Sequence, residues 1–68
     1  MMHSVTINGK KYDFREGIAL SELIERLKLP DSRIAVELNK SVVRKGDWSK
    51  TPVSDSDVVE IVHFVGGG

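Results

Sequence analysis

Two alternating runs flank an Asn8-Gly9 pair, and they set the first constraint on the chain. In "HSVTIN", Val5 and Ile7 share one face, while Ser4, Thr6 and Asn8 share the other. Such alternation reads as a half-buried strand. Asn-Gly after it predicts a tight hairpin, because both residues accept the positive φ of turns that match strand twist. The next run, "KYDF", sets Tyr12 and Phe14 on one face of a second strand. A chain that begins this way has a sheet with one apolar face to cover.

The cover follows at once. After Gly17 the period changes, and Leu20, Leu23, Ile24 and Leu27 fall at i, i+3, i+4 and i+7. That spacing predicts one apolar stripe on a helix of about two and a half turns. Glu22, Glu25 and Arg26 take its wet side, and Pro30 marks its end. Alternation then resumes in "RIAVELN", with Ile34, Val36 and Leu38 opposed to Ala35, Glu37 and Asn39. A short strand is expected in "SVVRK", and a long turn in "GDWSKTPVSDSD". Trp48 is the one large apolar group in that turn, and it is expected to close the open end of the core. The last strand is "DVVEIVHFV".

Hairpin, helix, then further strands is the order of a β-grasp. The predicted class is α+β, a mixed four- to five-stranded sheet packed on one main helix. The final strand, the most apolar segment, is expected in the middle of the sheet and parallel to the first. Within it Val59 and Ile61 share one parity, and Val58, Glu60, Val62 and Phe64 the other. A charged Glu60 facing the helix would be costly, so Val59 and Ile61 are assigned to the core. Val62 and Phe64 then project from the open face, with small Ala35 beside them, as an apolar docking patch. The alternative is that Phe64 folds over the sheet edge to shield the core. Residues 1–65 are read as one domain and 66–68 as a flexible glycine tail.

Size and composition exclude much else. A chain of 68 residues buries roughly 60% of its unfolded surface, leaving no room for a deep enclosed cleft. Ten basic and ten acidic residues cancel, which argues against nucleic acid, since phosphate binding needs concentrated positive charge. No apolar run is long enough to span a membrane, and "MMHSVTING" does not look like a signal peptide. The expected compartment is the cytoplasm. There is no cysteine, hence no thiolate site or nucleophilic thiol. His3 and His63 stand sixty positions apart and are read as surface or strand-end residues. No metal set, nucleophile elbow or Walker loop is present. The side chains offer no catalytic set, so the chain is not read as an enzyme.

Taken together, "VTING", "LSELIERL" with its short link to "IAVELN", "VVRKGDW", "DSDVVEIVHFV" and terminal Gly67-Gly68 resemble the ThiS family. These are ubiquitin-like sulfur carriers of thiamin biosynthesis, and the similarity covers essentially the whole chain. One departure is Ala19, where the family often has a hydroxyl residue at the start of the helix. The resemblance implies that an adenylating enzyme of the ubiquitin-activating, ThiF type activates the terminal carboxylate of Gly68 with ATP. Conversion to a thiocarboxylate follows, and a ThiG-type thiazole synthase receives the sulfur. No cofactor is expected on the carrier itself, which is expected to be a monomer when free. Gly67 would give clearance inside the partner's channel and Gly66 would lengthen the free end, since glycine carries no side chain to clash. From Phe64 to Gly68 the extended reach is roughly 13–14 Å at about 3.3–3.6 Å per residue. The related small subunit of molybdopterin synthase is usually longer between helix and third strand, where only Pro30 to Arg33 intervene here. Other sulfur carriers, a ubiquitin-like modifier, or a β-grasp binding module with an inert tail are the remaining alternatives.

Overall fold

The computed structural model describes residues 2–30 and 32–64. Strands β1 (His3–Ile7) and β2 (Lys10–Phe14) form the expected antiparallel hairpin, in register from His3 opposite Phe14 to Ile7 opposite Lys10. Asn8 and Gly9 turn it with φ of 50° and 82°, the pair of positive values that a type I′ turn demands. A two-residue strand β3 (Ile18–Ala19) leads into helix α1 (Leu20–Arg26). Then come β4 (Ile34–Leu38), β5 (Ser41–Val43), a 3-10 helix (Lys45–Lys50), β6 (Pro52–Val53) and β7 (Val58–His63).

Five strands make one mixed sheet in the order β2-β1-β7-β4-β5. As expected, β7 lies between β1 and β4, parallel to the first (Ile7 opposite Val59) and antiparallel to the second (Val36 opposite Ile61). The helix covers one face. Val5, Ile7, Val36, Val59 and Ile61 from the sheet meet Leu20, Leu23 and Ile24 from α1, all of them buried. Each buried aliphatic side chain of this kind is worth about 1.5–3 kcal/mol in transfer terms. Among the described residues, no helix or strand covers the opposite face of the sheet.

Two expectations need correction. The helix is shorter than its apolar spacing suggested: Leu27 is its C-cap and Lys28 takes the left-handed conformation with φ of 57°. The Lys28 and Leu29 amides donate back to the Glu25 and Ile24 carbonyls at 3.0 and 3.3 Å. This is a Schellman closure, which ends the helix ahead of Pro30. Leu27 still packs against the core, half-buried. The second correction concerns residues 46–57, read as a long turn after a strand running to Lys45. The strand stops at Val43, the 3-10 helix begins at Lys45 and runs into the turn, and the turn also holds β6, which pairs antiparallel with β3 through Ile18 opposite Val53. Ile18 and Val53 thereby join the core.

Trp48 does what its sequence position suggested. It is 5% exposed, and its indole Nε1 donates to the Val43 carbonyl at 2.9 Å. The ring fills the end of the core between α1 and β5 while its one polar atom is satisfied. Replacing Trp48 by alanine is expected to cost about 3–5 kcal/mol. Urea titration of the Trp48→Ala protein followed by far-ultraviolet dichroism checks this.

Ala19 is the N-cap of α1 and makes no side-chain capping bond. The Leu20 amide instead donates to the Thr51 carbonyl at 2.8 Å, so the small β3–β6 sheet supplies one partner from outside. Glu22 stands at the third helical position, where a hydroxyl at residue 19 would complete a capping box. Ala19→Ser is therefore expected to stabilise the domain by about 1 kcal/mol, read as a rise in the urea midpoint at constant slope.

Candidate functional site

The alternation along β7 divides its side chains between two environments. Val59 and Ile61, at 0% and 6% exposure, face the helix, whereas Val62 and Phe64, at 57% and 56%, stand in solvent on the open face. Glu60 lies on that same open side, which is why the parity argument from its charge succeeds. Ala35 is the cross-strand partner of Val62 on β4. A methyl group there leaves the larger side chains uncovered. Val58 and Val42 extend the exposed apolar surface along the sheet, with Glu37 opposite Glu60 between them.

Phe64 lies one residue past the end of β7, yet its amide still donates to the Arg33 carbonyl at 2.7 Å. The chain keeps the line of the sheet up to this point. Phe64 does not fold back over the edge, so the shielding alternative is not the arrangement found. Arg33 accepts this bond from a left-handed conformation, φ of 60°, which turns the α1–β4 link into line with β4. Gly66, Gly67 and Gly68, assigned from the sequence to the reactive end, lie outside the described residues.

The rest of the surface offers no competing chemistry. Among the described residues no group of His, Asp and Glu side chains is arranged to hold a metal ion. His63 is exposed at the end of β7 and His3 lies in β1, so the two imidazoles belong to different strands and make no joint site. The Arg26–Glu22 ion pair, at 2.7 Å, lies on the solvent side of α1. Two depressions flank the helix. One, of about 460 Å³, opens between α1 and the 3-10 helix beside Trp48; the other, of about 230 Å³, opens between the hairpin and Leu27. Neither includes Val62 or Phe64. No helix among the described residues is long and apolar enough to cross a membrane.

One contact has no counterpart in the sequence reading. Asn8 was placed with Ser4 and Thr6 on the outward side of β1, but its side chain reaches across to β7. Its Nδ2 donates to the Ile61 carbonyl at 3.1 Å, and its Oδ1 accepts from the Ile61 amide at 2.6 Å. Pairing across 53 positions leaves no periodic trace, and the Asn-Gly signal was already accounted for by the turn.

Known proteins resemble this chain along almost its full length. The family model described as "ThiS family" matches residues 5–68. The sulfur carrier protein ThiS of Bacillus subtilis is 35% identical over 91% of this chain and 96% of its own. A thiazole synthase of Magnetococcus marinus is 34% identical over 94% of this chain, which spans only 20% of that protein's length. A second thiazole synthase, from Paramagnetospirillum magneticum, is matched over the same small share. Among solved structures, the crystal structure of the thiamine biosynthesis protein ThiS from Geobacter metallireducens superposes with a TM-score of 0.83 at 35% identity, covering 96% of this chain and 99% of that one. The five-stranded sheet on one helix is the β-grasp shared with these proteins, and the chain belongs to the ThiS family.

Proposed function

We propose that this chain is a sulfur carrier of thiamin biosynthesis, acting as a co-substrate of other enzymes through its Gly68 carboxylate. The single observation that carries the reading is family membership over residues 5–68, a match that includes the glycine end. The exposed pair Val62 and Phe64, immediately before that end, supports it. An apolar patch at this position offers a partner a grip next to the group it must process.

The chemistry follows from what a carboxylate lacks. At neutral pH a terminal carboxyl, with an ordinary pKa near ~3.3–3.7, is ionised and a poor electrophile. Attack of its oxygen on the α-phosphorus of ATP expels pyrophosphate and leaves an acyl adenylate. A sulfide-level nucleophile then adds to the carbonyl carbon and displaces AMP to leave the terminal thiocarboxylate. Where the sulfur arrives as a donor's persulfide, a thiol of the donor system cleaves the resulting acyl disulfide, releasing the thiocarboxylate and forming a disulfide on the donor. With no cysteine in the chain, the carrier has no thiol of its own to hold sulfur as a persulfide. The enzyme supplying the adenylate would be a ubiquitin-activating-like one, and the acceptor a thiazole synthase. In two bacterial thiazole synthases, a stretch similar to 94% of this chain is part of the same polypeptide, which favours that acceptor. Gly67 and Gly66 serve as clearance for the reacting end.

A chain extended by one residue beyond Gly68, or lacking Gly68, is expected to lose adenylation while keeping its melting temperature. ATP–pyrophosphate exchange with the activating enzyme measures this, and undiminished exchange by the extended chain would contradict the proposal. Phe64→Ala is expected to weaken binding to the activating enzyme and to the synthase about tenfold or more, with the stability change under about 1 kcal/mol because the ring is exposed. Titration calorimetry beside thermal melts separates the two effects. A large drop in melting temperature with normal binding would place the docking surface elsewhere.

A further inference from the structure

Strand β1 runs out before β7 does. Their parallel pairing covers Thr6 opposite Val58 and Ile7 opposite Val59, and the Asn8 amide adds a bond to the Val59 carbonyl at 2.9 Å. At Gly9 the backbone turns away into β2, so no main chain from this side reaches Ile61. The Asn8 side chain takes its place. A primary amide has the same donor and acceptor groups as a peptide unit, and here both are used on one residue, Ile61, at 3.1 and 2.6 Å. The side chain acts as one further step of strand.

What lies beyond that step gives it consequence. Past Ile61, among the described residues, β7 is held by β4 alone, through Ala35 opposite Val62 and the Phe64 amide on the Arg33 carbonyl. Ile61 is thus the last residue of the strand held on both sides, and the next outward-facing residues are Val62 and Phe64. From Ile61 to Phe64 is roughly 10 Å at about 3.3 Å per residue. Binding constellations must be held to within about 10–20° to function. A 20° pivot about Ile61 would displace the Phe64 ring by roughly 3–4 Å over that arm.

We propose that Asn8 is a positioning residue for partner docking: its side-chain amide fixes the direction in which Val62 and Phe64 are presented. The inference rests on the docking role proposed above. A second asparagine supplies a matched control. Asn39 is also left-handed, φ of 52°, and its Oδ1 accepts from the Val58 amide at 2.9 Å, at the opposite end of β7. Its loss loosens the start of the strand, which the buried Val59 and Ile61 separate from the docking residues.

The test compares Asn8→Gly with Asn39→Gly, since glycine keeps both turns at positive φ and removes only the side-chain bonds. Both variants are expected to melt lower by similar amounts. Only Asn8→Gly should lose amide-exchange protection at Ile61 and at Phe64, each by about tenfold, for want of bonds of ordinary strength. In adenylation, Asn8→Gly should raise the KM for the carrier about tenfold with kcat unchanged, whereas Asn39→Gly leaves both at the parent value. Equal KM values for the two variants, or Phe64 protection in Asn8→Gly equal to that in Asn39→Gly, would overturn the proposal. If the parent chain is not adenylated at all, the sulfur-carrier reading fails instead, and the exchange measurement still decides whether Asn8 holds the strand end.

Discussion

The domain depends on one strand being enclosed from both sides. β7 contributes its two most buried side chains, Val59 and Ile61, to the centre of the core, and its backbone bonds link the hairpin to the β4–β5 pair. Without it the sheet is two separate hairpins, neither of which can form a stable unit by itself. The other features serve this enclosure. α1 covers the seam from one face, Trp48 closes the end, and two asparagines bond to β7 backbone where neighbouring strands begin or stop.

The period of two along that strand separates packed side chains from exposed ones. Side chains of one parity are fixed by packing, and those of the other are free of it. Val62 and Phe64 remain in solvent although apolar. Glu60 and Glu37 lie across from each other on the same face, where like charges are mutually unfavourable. Burial of Val59 and Ile61 outweighs that local repulsion. On the proposed reading, recognition falls to this sheet face and the chemistry to the terminal main-chain carboxylate; neither depression beside the helix reaches Val62 or Phe64.

Much of this was legible in the sequence because the responsible signals are local and periodic. Val5 and Ile7 alternate, Asn8-Gly9 punctuates, and Leu20, Leu23 and Ile24 recur at helical spacing. Glu60 fixed the orientation of β7 because a charge excludes one of two faces. What escaped has no periodic signature. β6 has only two residues, too few for alternation to register, and its partner β3 hides in the approach to the helix. The helix stop at Lys28 escaped because left-handed closures usually announce themselves with glycine, and here a lysine adopts that conformation. The reach of Asn8 to Ile61 is a tertiary fact, and Asn-Gly alone implies only a turn. The exposure of Val62 and Phe64 was readable from parity, and their freedom from cover from the small Ala35 beside them.

The place of β7 in the sheet also has a bearing on biosynthesis. Chains grow from the N-terminus, and domains organise as their segments emerge. Here the strand that joins the two halves is specified after all the other described elements. A ribosome stalled ahead of Val58 leaves a product with a hairpin, a helix and a second hairpin but no shared centre, exposing Val5, Ile7 and Val36 to water. Such a fragment is recognisable to proteases as unfolded. A folded copy, by contrast, has been read at least through His63. Because the unifying strand follows every other element, the native state requires a chain read through β7.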